Sequence, residues 1–239
     1  MPYYYYGFDW TYLVLVLPCM IFSLIASSRV NATFKKYSQQ YSQRRLTGAE
    51  AARRVLAHNG ISGVRIERVA GNLTDHYDPT TNVIRLSDSV YSSTSTAAIG
   101  VAAHEAGHAV QYAVNYAPIK LRAAIIPLTN FGSRLALPLI LAGILLTFLG
   151  SFSTLLINLG IAAFALSFVF QLITLPVEFN ASRRAIRAIE DAQLLTAEEQ
   201  KGAQKTLKAA AMTYVAAMAL SLAQLLRLIM LYGNRRRRD

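Results

Sequence analysis

The chain has 239 residues, enough for one sizeable domain, but 54% of them are hydrophobic and only 15% are charged, where soluble domains carry about 25% charged. The apolar residues gather in long runs, which excludes an ordinary soluble domain and indicates transmembrane helices. The formal net charge is +11, yet the basic residues cluster within a turn or two of those runs, where they meet anionic headgroups and fix topology, so the partner expected is the bilayer and no nucleic acid is expected. Cys19 is alone, which excludes an intrachain disulfide.

Residues 10–27 form the first apolar run, behind an aromatic cluster at 3–6. No basic residue precedes it, while Arg29, Lys35, Lys36, Arg44 and Arg45 follow, so the pattern predicts an uncleaved anchor with its N-terminus outside and the next segment in the cytosol. Residues 46–60 predict a short helix with Thr47 and Glu50 at capping-box spacing, a stop at Asn59-Gly60, and His58 as a surface residue that complements the helix dipole. Val64, Ile66 and Val69 predict a strand. Residues 73–77 and 83–87, joined by Asp78-Pro79-Thr80-Thr81-Asn82, predict a hairpin, and 73–77 is the candidate edge for holding an extended peptide. Ser93, Thr94 and Ser95 are candidate N-caps for a helix over about 96–116, with Pro118 just beyond it. Gly100 and Gly107, seven apart, share a helix face that lets another element approach closely.

Three more apolar runs follow. Residues 131–149 and 155–175 are each near the ~20 residues of a spanning helix, and the uncharged link 150–154 joins them into a membrane hairpin. Glu178 then follows Pro176 at the expected start of a helix that carries Arg183, Arg184 and Arg187 and ends near Asp191. Thr196 and Glu199 cap a last helix, which grows into the run 209–231. If that run spans, the arginine block at 235–238 lies outside, against the positive-inside preference, while Gln224 and Arg227 within it favour packing against protein.

The chemistry centres on His104-Glu105-Ala106-Gly107-His108. On a helix, residues four apart share a face, so both imidazoles can address one metal ion with Glu105 beside them. Catalytic zinc takes three protein ligands and keeps a fourth position open. Candidates for the third ligand are Asp75, His76, Asp88, Glu178, Glu190 and Asp191, with Glu178 favoured because the membrane hairpin returns it to the side where the motif helix begins. Glu105 suits the general base, and His76, Tyr77 and Tyr112 are candidate oxyanion or substrate contacts.

Together with Glu178-Phe179-Asn180-Ala181-Ser182-Arg183-Arg184, this motif resembles the bacterial membrane neutral zinc metallopeptidases of the YugP type over nearly the whole chain. More distantly it is similar to the HtpX and CAAX prenyl endoprotease group, whose helix of this kind is joined by a glutamate in an E-x-x-x-D motif. The resemblance implies one Zn2+ per chain held by His104, His108 and Glu178, with Glu105 as general base. Ser182 stands where the distant group has aspartate, so the resemblance leaves Asn180 or Ser182 to offer a weaker hydrogen bond in place of that carboxylate.

The fold class expected is a mainly α membrane protein with four apolar helices and a small α+β zincin-like domain. Its divisions are an anchor at 1–28, a catalytic domain at 29–126, a transmembrane hairpin at 127–176, a third-ligand helix and connector at 177–208, and an apolar helix with basic tail at 209–239. The function expected is a multi-pass zinc endopeptidase of the bacterial cell membrane, its catalytic domain cytosolic, acting on peptides or membrane proteins near the bilayer surface. The alternatives are a zinc-stabilised membrane adaptor without hydrolytic activity and a zinc hydrolase of lipid or cell-wall amides.

Overall fold

The computed structural model describes residues 9–232, and most of them are helical. A short π-helical stretch, Tyr12–Val16, leads into α1 (Leu17–Tyr37); then come α2 (Gly48–His58), β1 (Arg65–Val69), β2 (His76–Asp78), β3 (Val83–Ser87), α3 (Asp88–Tyr91), α4 (Thr96–Ala113), α5 (Ala117–Leu145), α6 (Ser151–Asp191) and α7 (Ala197–Tyr232). Among the described residues four helical segments, Tyr12–Tyr37, Ala117–Leu145, Ser151–Asp191 and Ala197–Tyr232, are long and apolar enough to cross a membrane.

The chain forms two compact units. The first takes in Ala26–Leu121 and Thr174–Tyr214. At its sheet, β3 is the middle strand, parallel to β1 and antiparallel to β2. Val83, Ile84, Leu86 and Ser87 of β3 are all fully buried, as expected of a strand covered on both faces. The core joins Val55 and Leu56 of α2, Ile99 and Ala102 of α4, Ile84 and Leu86 of β3, and Ile189 and Leu194 at and beyond the end of α6.

Local sequence explains the ends of these elements. Thr47 and Glu50 make the expected capping box: the Glu50 amide donates to Thr47 Oγ1 at 3.2 Å and the Thr47 amide to Glu50 Oε2 at 2.8 Å. Of the three candidate caps for α4, Ser95 serves, its Oγ accepting from the Ala98 amide at 3.2 Å. The helix stops at Ala113, short of the expected 116, because Asn115 adopts φ 56°, a left-handed conformation that asparagine tolerates. Pro118 then sits in the first turn of α5, where its missing N–H costs nothing.

Two sequence expectations shift. The hairpin's first strand is His76–Asp78, not 73–77: Leu73 has φ 55°, and the Asp75 side chain turns to accept from the Ser87 amide at 2.7 Å and Ser87 Oγ at 3.0 Å. Glu178 does not open a new helix. α6 runs unbroken through Pro176, which removes one ladder hydrogen bond without ending the helix.

The second unit comprises the chain up to Ile25, Arg122–Ile173 and the chain from Val215. Here α5 and α6 pack closely over small residues: a Cβ at Gly143 would stand 2.8 Å from the Ser153 carbonyl oxygen, and one at Gly160 would stand 2.9 Å from that of Ala136. This is how apolar helices associate where burial of apolar surface gives no drive. Leu137, Leu141, Leu145 and Phe148 are exposed. Arg227, the charge inside the last apolar run, pairs with Asp9, its Nε donating at 2.9 Å and its Nη2 at 2.5 Å to Oδ2.

Candidate active site

α4 carries His104, Glu105 and His108, and α6 carries Glu178. Glu178 Oε2 lies 3.2 Å from His104 Nε2 and 3.6 Å from His108 Nε2. Among the described residues these three side chains form the group that could hold a metal ion, with all ligand atoms within 4.8 Å of one another. Zinc with bonds of 2.0–2.1 Å in tetrahedral geometry separates its ligand atoms by about 3.3 Å, so the two measured edges fit the ion.

The outer nitrogens of both rings are held as well. His108 Nδ1 lies 3.0 Å from Gln111 Oε1, and Gln111 Nε2 donates to the Val177 carbonyl at 2.8 Å and to Asn180 Oδ1 at 3.0 Å. Because that amide group has two acceptors, its oxygen faces the ring, and His108 must carry its proton on Nδ1. A neutral His108 then has its lone pair on Nε2, facing the Glu178 carboxylate, so the contact needs positive charge between the two, which a shared metal ion or a second ring proton supplies. His104 Nδ1 lies 3.1 Å from Ser182 Oγ. Ser182 thus contacts a proposed ligand directly, while Asn180 acts on His108 through Gln111 and is itself bonded by Arg184 Nε at 2.8 Å.

Burial disfavours the charged form of His108, but its contact with Glu178 and the nearby Glu105 charge outweigh this and raise its pKa above the ordinary histidine value. Glu178 is only 2% exposed and Glu105 8%. Both open onto a cavity of about 350 Å³, lined also by His104, Asp75, Ser182 and Tyr214. Asp75 faces it with a pKa raised by burial, partly offset by the Ser87 hydrogen bonds.

The other sequence candidates lie elsewhere. Asp88 pairs with Arg68 at 2.5 Å, and Asp191 approaches His58 at 3.6 Å. His76, Tyr77 and Tyr112 are not among the residues lining the cavity. His76 Nδ1 is 2.9 Å from the Thr74 carbonyl oxygen; the Tyr77 hydroxyl donates to Asn82 at 2.8 Å, and its ring packs on that of Tyr112 at 5.7 Å between centroids. Gln111 was not singled out by sequence. The available signal was an amide side chain three positions after His108, on the same helix face; that it is fully buried is seen only in the structure.

Residues 12–233 match the family model described as "Putative neutral zinc metallopeptidase". The chain belongs to this family. It is also 47% identical over 225 residues to the "Putative membrane protease YugP" of Bacillus subtilis (strain 168), covering 94% of this chain and 98% of that protein. No solved structure matches the chain. As a member of the neutral zinc metallopeptidase family with four apolar helices, the protein is membrane-associated, and its His104, His108 and Glu178 cluster is compatible with zinc.

Proposed function

We propose that this protein is a zinc endopeptidase that cuts peptide bonds of membrane proteins or peptides near the bilayer surface. The observation that carries the reading is the convergence of both histidine Nε2 atoms on one Glu178 oxygen while their Nδ1 atoms are engaged by Gln111 and Ser182. In this reading the segments 29–126 and 177–208 bear the zincin-like chemistry, and the apolar segments anchor it. The more distant likeness to the HtpX and CAAX prenyl endoprotease group rests on the motif residues alone.

Zinc bound by the three ligands would supply Lewis acidity toward a water and the scissile carbonyl. The chain's own residues do the rest. Glu105, next to His104 but outside the ligand group, takes the water proton and returns it to the leaving amine. Gln111 and Ser182 keep both imidazoles turned inward. An extended substrate lying along the sheet edge at β2, His76–Asp78, is held by backbone hydrogen bonds, which gives broad sequence tolerance. Glu178 stands three residues past the apolar run 155–175 on one continuous helix, which supports cleavage close to the membrane.

The deciding experiment compares wild type with Glu105→Gln on a peptide library and on lipid amides, with bound zinc measured in both proteins. The expected result is peptide cleavage by wild type, a loss of about 10²–10⁴-fold in the variant, and equal zinc content. Undiminished cleavage by the variant would remove Glu105 from the mechanism. Cleavage of lipid amides alone would replace the substrate class.

A further inference from the structure

Beside the metal cavity, between the water-side end of α6 and the start of α7, lies a second cavity of about 560 Å³. Phe179, Ile186, Leu207, Ala211 and Met212 line it together with Ser182 and Gln204, yet the surface it presents is nearly all apolar. Arg183, Arg187 and Lys208 stand at its rim, all three exposed and without an ion-pair partner among the described residues. Arg183 and Arg187, one turn apart on α6, also line an adjoining polar pocket of about 230 Å³ with Asn59, Asn180, Arg184 and the His58–Asp191 pair.

From this juxtaposition we infer that the α6–α7 groove is a binding site for an anionic phospholipid, with an acyl chain in the apolar trough and the phosphate between Arg183, Arg187 and Lys208. A peptide is a poorer occupant. Most of its backbone N–H and C=O groups would enter a nearly all-apolar surface and stay unsatisfied there, whereas an acyl chain has none. A free anion leaves the trough unfilled. Phosphate opposite three unpaired cations, with polar headgroup atoms continuing into the adjoining pocket, matches both cavities at once. The position agrees: Phe179 is one turn past Leu175, the last residue of the apolar run on the same helix, and Lys208 immediately precedes the apolar run of α7. Those are the depths at which basic side chains meet lipid phosphates. The inference needs only membrane association and stands apart from the protease reading.

The test uses the full chain purified in a nonionic detergent and titrated with fluorescent phosphatidylglycerol or phosphatidylcholine of the same acyl length. Phosphatidylglycerol should bind saturably and phosphatidylcholine should not. Loss of each cation should weaken binding about fivefold, hence about a hundredfold for Arg183→Gln, Arg187→Gln and Lys208→Gln combined. Ile186→Trp, which fills the trough and keeps every cation, should also abolish saturable binding. Arg53→Gln with Arg54→Gln, the same kind of charge loss on α2, should leave it unchanged. Equal binding of both lipids, an undiminished triple variant, undiminished binding by Ile186→Trp, or equal competition by inorganic phosphate would each overturn the site. Displacement of the lipid by an acidic, apolar peptide, with the variants weakening only that peptide, would make the groove a substrate subsite instead.

Discussion

Gln111 sets the direction in which His108 can donate its lone pair. Its amide nitrogen is committed to Val177 and Asn180, so its oxygen is the partner of His108 Nδ1. Gln111→Leu leaves a buried N–H without an acceptor and frees the ring to change tautomer. We expect zinc affinity to fall about 10–100-fold, read by competition with a chromogenic chelator. Gln111→Glu restores an acceptor for Nδ1–H but sets its second carboxylate oxygen against the Val177 and Asn180 oxygens, so it should recover only part of the affinity. Unchanged zinc binding in Gln111→Leu would show that packing alone orients the ring. The sequence made the two histidines and Glu105 legible because their spacing is a direct consequence of helix geometry. It left Glu178 as the favoured one of six candidates, since a partner 74 residues away depends on how two helices pack.

At the scale of elements, helix separation decides whether the ligands meet. A Cβ at Gly107 would stand 2.7 Å from the Ala181 carbonyl oxygen of α6, whereas one at Gly100 would stand 3.1 Å from the Ala203 side chain of α7. The sequence showed that the two glycines share a face, but not that each receives a different helix. Gly107→Ala must push backbone from backbone, so a loss of about 1–3 kcal/mol from overpacking exceeds the helix-propensity gain of about 1 kcal/mol. Gly100→Ala should cost less. Thermal melts with zinc titration check both: Gly107→Ala should melt earlier than Gly100→Ala and bind zinc more weakly, and the reverse order would refute this account of α4–α6 spacing.

The caps were more legible than the packing, because they need only residues three apart. At α2 the Thr47 amide and hydroxyl hold the Glu50 carboxyl below its usual value of 4.5. A lowered folded-state pKa means that the capping contribution is complete above the unfolded value and is lost as pH falls through the folded one. Glu50 is exposed, which limits the effect to about 1 kcal/mol or less. Denaturant unfolding of wild type and Glu50→Gln should therefore differ at neutral pH and converge below pH 4.5. A constant difference across that range would mean that ionisation of Glu50 adds nothing to the cap.

For the whole molecule, the sequence located the apolar runs but not the full helices. Hydropathy registers only the lipid-facing part of a helix such as α6, which continues for four turns of polar and ligand-bearing sequence beyond Leu175. That continuity bears on orientation. Arg29, Lys35, Lys36, Lys120, Arg122, Arg183, Arg184 and Arg187 all belong to segments that successive spans return to one side, while the link between α5 and α6 carries no charge. The positive-inside preference predicts that this side is the cytosol. The prediction is read by labelling intact cells with a membrane-impermeant maleimide after Cys19→Ala. Arg54→Cys, on the exposed face of α2, should react only once the cells are broken. Phe148→Cys, 79% exposed in the α5–α6 link, should react from outside. Labelling of Arg54→Cys in intact cells, with Phe148→Cys protected, would invert the topology and move the proposed zinc site to the outer face. The four arginines at 235–238 would then lie on the cytosolic side, where the positive-inside preference favours them. The two positions therefore weigh the basic segments on either side of the spans against the terminal block in a single experiment.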